Sequence, residues 1–165
     1  IFNFLVRWLA PSLSFTCEEA WQARGFKSSV HLEDFHTVDI KYKNSKLNSK
    51  WQKVKMVRKV ITGALEKKRA DKVIGSSLES HVKIFLTDDI KKEVSDINFD
   101  EIAITSSFEI LDFKNSNNSF SLEEIKGVNV EITKVSGSKC ERCWKYQTKL
   151  TSKNLCNRCE EAVKS

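Results

Sequence analysis

Two Cys-x-x-Cys pairs near the end of the chain most strongly constrain what it can fold into. Cys140 and Cys143 form knuckle 1, Cys156 and Cys159 form knuckle 2, and twelve residues separate the two knuckles. A two-residue gap lets both sulfurs of a tight turn face one ion, and a hairpin of this length brings the second knuckle round to the first. Zn²⁺ binds four such thiolates tetrahedrally, at about 2.3 Å each. The spacing therefore predicts one structural zinc site with no open coordination position.

The other interpretations of these cysteines are a pair of disulfides or a set of free buried thiols. Disulfides need an oxidising compartment and usually spread across a small secreted domain, whereas these cysteines collect in two knuckles. The fifth cysteine, Cys17, is remote and is expected to pack in a helix. Residues 1–13 are too short and too polar for a membrane span or a signal peptide. These features together predict a cytoplasmic protein with no membrane contact.

The hydrophobic pattern predicts an α+β fold in three parts. Residues 1–73 are expected to form a helical bundle portion, residues 74–136 a small α/β module, and residues 137–165 a Cys₄ zinc ribbon. The chain has no initiator Met and opens in an apolar helix, so we expect it to be the C-terminal piece of a longer protein. Within the α/β module, alternation predicts strands at residues 81–86, 101–105, 108–113 and 128–135.

A long helix is predicted from residue 48 or 49 to about residue 72. Apolar side chains recur at helical spacing on one face, which indicates core packing. The opposite side carries Lys55 and Lys59, one helical turn apart. The predicted core face consists of Trp51, Val54, Val57, Ile61 and Leu65.

Charge is distributed unevenly along the chain, whose formal net charge is +6. Residues 41–72 hold twelve Lys/Arg and two acidic residues, and residues 139–164 hold seven Lys/Arg and three acidic residues. Between these two zones, residues 74–134 hold twelve acidic and six basic residues. Two basic zones fit a polyanionic partner, because Lys and Arg displace the counterions condensed on phosphates. The alternative is that these lysines only solvate a helix surface.

No catalytic constellation is recognisable in the sequence. Both glycine-rich phosphate-binding patterns are absent. The three histidines, His31, His36 and His81, have no catalytic spacing, and a solvated loop accounts for the first two. We therefore predict no catalytic residues in this chain.

Three segments, in the same order along the chain, resemble class I aminoacyl-tRNA synthetases. Residues 7–21 resemble the end of their helical anticodon-binding domain. Residues 69–79 look like the segment after the last long helix of bacterial isoleucyl-tRNA synthetases. Residues 139–146 (Lys-Cys-Glu-Arg-Cys-Trp-Lys-Tyr) and residues 155–159 (Leu-Cys-Asn-Arg-Cys) are similar to the C-terminal zinc finger of those enzymes. The resemblance spans most of the chain.

This resemblance implies a tRNA-binding role within a larger isoleucine–tRNA ligase. The partners implied are tRNA(Ile), at its anticodon stem-loop, and the rest of a monomeric synthetase. The family's two ATP-binding signatures, His-Ile-Gly-His and Lys-Met-Ser-Lys-Ser, are absent here. ATP would therefore bind only in a catalytic domain outside this chain, and this piece alone is expected to be inactive. On the long helix, Lys55, Arg58 and Lys59 would then lie near the RNA backbone.

Knuckle 1 is expected to contact RNA through Arg142, Trp144 and Lys145. Arg142 lies between the two ligands of its turn, so its side chain should project away from the metal. Trp144 offers a flat face for stacking on an unpaired base, and Arg142 and Lys145 could pair with phosphates. The alternative is that Trp144 packs over the zinc site as the small core of the finger.

Two other kinds of protein carry similar zinc modules. Formamidopyrimidine-type DNA glycosylases end in such a finger, but they need a catalytic N-terminal Pro, and Pro11 is internal here. A zinc-ribbon protein-interaction module with no RNA role is the third interpretation. Binding of tRNA or of duplex DNA across a salt series would separate the three.

Overall fold

The computed structural model describes residues 1–114 and 118–164, which divide into two compact units. Unit 1 is Ile1–Asn44 and unit 2 is Ser45–Ser165. Within the described residues, no helix combines the length and apolarity that a membrane span needs. The α+β class predicted from the sequence is confirmed, with six α-helices, a four-stranded sheet and a two-stranded ribbon among the described residues.

Unit 1 is built from two short helices and an irregular segment. Helices α1 (Phe2–Leu9) and α2 (Ser14–Ala23) are separated by a turn that contains Pro11. Trp21 is the largest buried side chain of the unit, and its indole N–H donates to the carbonyl oxygen of Ser28 at 2.9 Å. This hydrogen bond satisfies the polar group of a buried aromatic residue and ties the irregular segment to α2. The core of unit 1 consists of Val6, Ala10, Cys17, Trp21 and Val30.

Unit 2 is organised around one long helix and the sheet on which it packs. The buried side chains of the helix recur every three or four residues and face the sheet, which is the pattern of an amphipathic helix. The core therefore lies between this helix and one face of the sheet. The elements of unit 2 are α3 (Ser45–Ala70), β1 (Ser80–Leu86), α4 (Asp88–Val94), α5 (Phe99–Ile102), β2 (Ser107–Asp112), β3 (Phe120–Leu122), β4 (Ile125–Lys134), β5 (Ser138–Lys139), β6 (Tyr146–Gln147) and α6 (Asn157–Lys164).

The four-stranded sheet has the order β2-β1-β4-β3. Strand β1 pairs in parallel with β2, and β4 is antiparallel to both β1 and β3. Side chains alternate between the two faces of a strand, so Val82, Ile84 and Leu86 all point into the core with α3. Helices α4 and α5 form the connection between the parallel strands β1 and β2.

A close approach between α3 and β3 depends on a glycine. A Cβ placed on Gly63 would lie 2.7 Å from Cε1 of Phe120. Glycine lowers helix propensity, but here its missing side chain leaves the space that the aromatic ring occupies. Gly63 therefore lowers the helix propensity of α3 but allows close contact between α3 and the edge strand β3.

The structure groups residues differently from the three-part division predicted from the sequence. The predicted boundary between residues 73 and 74 falls within unit 2, because α3 shares one core with the sheet. Trp51, predicted to lie in that core, is 42% exposed, because the buried stripe of α3 begins at Val54. The strand predicted at residues 101–105 is also wrong, since α5 ends there in a left-handed turn at Ile104 with φ 55°.

Candidate metal centre and nucleic-acid surface

The four knuckle cysteines lie together in unit 2. Their sulfur atoms all fall within 4.8 Å of one another, and Cys140 and Cys159 are fully buried. The Sγ atoms of Cys143 and Cys156 are 3.8 Å apart. Four sulfurs placed tetrahedrally at about 2.3 Å from a zinc ion are separated by about 3.8 Å. The cluster can therefore hold one metal ion, and the observed separation is too long for a disulfide bond of about 2.05 Å.

The backbone around knuckle 1 folds tightly enough to aim both sulfurs inward. The N–H of Cys140 donates to the carbonyl oxygen of Lys145, and the N–H of Trp144 donates to that of Cys140, both at 2.9 Å. Trp144 completes this turn in the left-handed region, with φ 65°. From knuckle 2, the N–H of Cys156 donates to Sγ of Cys140 at 3.3 Å. This hydrogen bond joins the backbone of knuckle 2 to a sulfur atom of knuckle 1.

Hydrogen bonds favour the thiolate form at one cysteine of each knuckle. Burial by itself raises the pKa of Cys140, but backbone N–H groups of Cys143, Cys156 and Arg142 donate to its sulfur and lower the pKa to about 6. Burial opposes ionisation of Cys159 too, yet hydrogen bonds from Cys156 and Arg142 leave its pKa below 9.0. At Cys143, burial dominates and raises the pKa. Burial likewise raises the pKa of Cys156. A thiolate is the form of cysteine that binds metal, and the hydrogen bonds at Cys140 and Cys159 stabilise that form.

Arg142 corrects one expectation from the sequence. Its side chain was expected to project away from the metal, but Nη1 lies 3.8 Å from Sγ of Cys159 and donates to it. A guanidinium group beside a thiolate cluster offsets part of its negative charge. Arg142 therefore faces the cysteines, as a partner of the sulfur of knuckle 2.

Trp144 lies on the surface of the finger. Its side chain is 57% exposed, and Nζ of Lys139 lies 4.9 Å from the centroid of its ring. The apolar packing around the cysteines is provided by Leu150 and Leu155. Trp144 therefore presents an accessible aromatic face with a cation beside it, and the small core of the finger forms without it.

Lys145 contacts protein as well. Its ammonium group pairs with Oδ2 of Asp100 in α5 at 2.5 Å, and the two side chains are only 16% and 17% exposed. Asp100 was not predictable as the partner of Lys145, because the two residues are 45 positions apart in the chain. The charge distribution along the sequence was a less specific signal. An acidic stretch lies between two basic zones, and zones of opposite charge can pair within one fold.

Three lysines of α3 also pair with distant carboxylates. Lys50 pairs with Asp96 and Lys53 with Glu93, both at 2.5 Å, and Lys59 pairs with Glu124 at 3.1 Å. Acidic residues of the segment 74–134 therefore pair with three of the nine Lys/Arg side chains of α3.

Two of the three α3 cations predicted to contact RNA have no ion pair with the described part of the chain. Nε of Arg58 donates to the carbonyl oxygen of Ile102 at 3.3 Å, which fixes the guanidinium without neutralising it. Lys55 is exposed, and no carboxylate among residues 1–114 and 118–164 lies within ion-pair distance of it. Lys55 and Arg58 therefore carry net positive charge at the surface of α3.

A comparison with known protein families identifies the class to which the chain belongs. Residues 1–84 match the family described as the anticodon-binding domain of tRNA ligase. The match covers unit 1 and α3 and ends inside β1, so the finger lies beyond it. The chain belongs to this family of anticodon-binding domains.

The similarity extends further in isoleucine–tRNA ligases. The chain is 45% identical over 148 residues to the enzyme of Bartonella henselae and 43% identical over 150 residues to that of Brucella abortus. These alignments cover 88% and 90% of this chain and 15% of each relative. A relative from Agrobacterium fabrum is 42% identical over 154 residues. The chain thus spans about 15% of the length of the curated relatives that it matches.

Proposed function

We propose that this chain is the tRNA-binding C-terminal part of an isoleucine–tRNA ligase and contacts the anticodon stem-loop of tRNA(Ile). The observation that carries this proposal is the 45% identity to such a ligase along 88% of the chain, together with the anticodon-binding family match. The parent enzyme would use ATP to attach isoleucine to its tRNA. It would act as a cytoplasmic monomer in protein biosynthesis, with this chain packed against its catalytic body.

The metal in this proposal is one structural Zn²⁺ held by Cys140, Cys143, Cys156 and Cys159. Four sulfur donors that lie within 4.8 Å of one another are the ligand set of closed zinc sites. When bound, the ion would supply the cross-link that a finger of about 30 residues cannot obtain from so small an apolar core. Arg142 would moderate the negative charge of the site through its contact with Cys159.

The RNA surface in this proposal is assigned by which side chains are accessible. Trp144 would stack on an unpaired base, and the neighbouring Lys139 would contact a phosphate. On α3, Lys55 and Arg58 would contact the RNA backbone and set the position of the RNA without reading its sequence. Lys59 and Lys145 were also predicted to contact RNA, and their pairs with Glu124 and Asp100 compete with that role.

A salt series on the complete chain tests this function. We expect the chain to bind a tRNA(Ile) transcript more tightly than a duplex DNA of equal charge, with an affinity that falls as salt rises. A zinc-ribbon protein-interaction module would bind neither nucleic acid, and a glycosylase-type finger would prefer the duplex. The chain should show no isoleucine-dependent ATP–pyrophosphate exchange, because it contains no nucleotide-binding motif. Measurable exchange would contradict the proposal that ATP binds only in a catalytic domain outside this chain.

A further inference from the structure

Among the described residues, three polar contacts join the finger to the α/β module, two from the segment that follows knuckle 1 and one from knuckle 2. The first is the ion pair between Lys145 and Asp100, whose side chains are largely buried. The second is a hydrogen bond from the N–H of Tyr146 to Oγ of Ser106 at 2.6 Å. The third is an exposed ion pair between Arg158 and Glu101 at 3.2 Å.

No apolar cluster of the described residues spans the finger and the α/β module. The cysteine cluster with Leu150 and Leu155 forms one apolar cluster, and the core between α3 and the sheet forms another. A polar cavity of about 260 Å³ lies between α5 and the knuckles, lined by residues that include Asn98, Gln147 and Lys149. Because the interface is not close-packed there, the three polar contacts are the described interactions through which the α/β module can orient the finger.

The ion pair is well placed to carry that role. Oδ1 of Asp100 is buried and has no hydrogen-bond partner among the described residues, so the ammonium of Lys145 is the group that balances this carboxylate. Removing either partner would leave a largely buried charge uncompensated. Ser106 is itself anchored, since its hydroxyl donates to the carbonyl oxygen of Leu78.

We propose that Asp100 and Lys145 are positioning residues that hold Trp144 in place for RNA. Lys145 and Tyr146 follow Trp144 directly, and each is tied to the α/β module through its own contact. The backbone of Trp144 is in a left-handed turn, so holding the two residues after it sets the direction of the Cα–Cβ bond that carries the indole ring. This inference rests on the proposed tRNA binding. It gives Lys145 a role in orienting the knuckle instead of in contacting a phosphate.

The slope of tRNA(Ile) affinity against salt separates these two roles of Lys145. The variants are Asp100→Asn, Lys145→Met and the double variant, all in the complete chain with its zinc retained. Each single variant should weaken binding by about tenfold, and the double variant should be no worse than either one, because the pair acts as a unit. The salt slope should be unchanged, since no phosphate contact is lost.

A direct phosphate contact by Lys145 would give different results. Lys145→Met would then reduce the salt slope by about one unit, and Asp100→Asn would leave binding intact or strengthen it. That outcome would overturn the proposal. Lys149→Met is the matched control, because it removes an equal charge from the same cavity wall at a side chain that has no ion pair with residues 1–114 or 118–164. Lys149→Met should not show the tenfold loss of tRNA affinity at an unchanged salt slope that we expect of Asp100→Asn.

Hydrogen exchange keeps this proposal separable from the proposed function. If the wild-type chain fails to bind tRNA, tRNA binding is refuted, and exchange at the amide of Tyr146 decides whether the ion pair orients the finger. This amide donates to Ser106 across the interface, so its protection reports docking of the finger. Asp100→Asn should speed its exchange while zinc content stays constant. Unchanged exchange would overturn the positioning role.

Discussion

Sγ of Cys143 lies 3.8 Å from Sγ of Cys156, although thirteen positions separate these residues in the chain. The distance matches the edge of a tetrahedron of sulfurs around zinc at about 2.3 Å. The N–H of Cys156 also donates to Sγ of Cys140, so a hydrogen bond to a sulfur atom connects the two ends of the hairpin between the knuckles. The cysteine cluster is therefore the point at which the two ends of the finger are connected.

Loss of one ligand should release the metal. We expect Cys143→Ser to lower zinc content from one ion per chain towards zero and to unfold the finger from about residue 137 onwards, because metal binding and folding are coupled in so small a module. Elemental analysis and a chelator competition would measure this. Cys17→Ala, in the core of unit 1, is the control and should keep full zinc content. Reduced wild-type protein without zinc would contradict the assignment.

Trp144→Ala should weaken tRNA(Ile) binding by about 1–3 kcal/mol, which is the usual range for one base stacked on an aromatic side chain. Zinc content and thermal stability should stay close to those of the wild type, because the ring is exposed and lies outside the finger's apolar cluster. Trp144→Phe should retain part of the affinity. A Trp144→Ala variant that sheds zinc in mild chelator would show instead that the ring stabilises the finger.

Two lysines one turn apart on α3 should differ in their contribution to tRNA binding. Lys55→Gln should reduce the salt slope of tRNA binding by about one unit, since its ammonium has no carboxylate partner in the described chain. Lys59→Gln should change the slope less, because Glu124 already neutralises Lys59. Equal effects from the two variants would mean that the ion pair opens when RNA binds. No effect from either would leave α3 as a solvated surface.

Gly63→Ala should destabilise unit 2 by about 1–2 kcal/mol, although alanine is the better helix former. The added Cβ would lie 2.7 Å from the ring of Phe120, and the cost of overpacking exceeds the gain in helix propensity. Thermal unfolding measures the change, with Thr62→Ala at the exposed neighbouring position as the control. Phe120→Leu should relieve part of the loss in the double variant. A Gly63→Ala protein as stable as the wild type would refute the steric account.

Several elements were predictable because their signals are local. The two knuckles, the strand within residues 81–86 and the long helix all follow from spacing over a few residues. The errors fall where a local signal is ambiguous. Residues 101–105 alternate like a strand, yet Phe99 is buried and the N–H of Thr105 bonds back to the carbonyl oxygen of Asp100, which closes a short helix.

The sequence by itself determined the two cysteine knuckles and the helical periodicity, since both depend on residues that are neighbours along the chain. Only the tertiary structure decided which cations stay accessible. Lys145 meets Asp100 across 45 residues and Lys59 meets Glu124 across 65, and no pattern in either segment names the partner. The fold likewise left Trp51 exposed although its spacing suits the core of α3. Charge pairing and burial depend on which distant residues the fold brings together, and a local pattern does not contain that information.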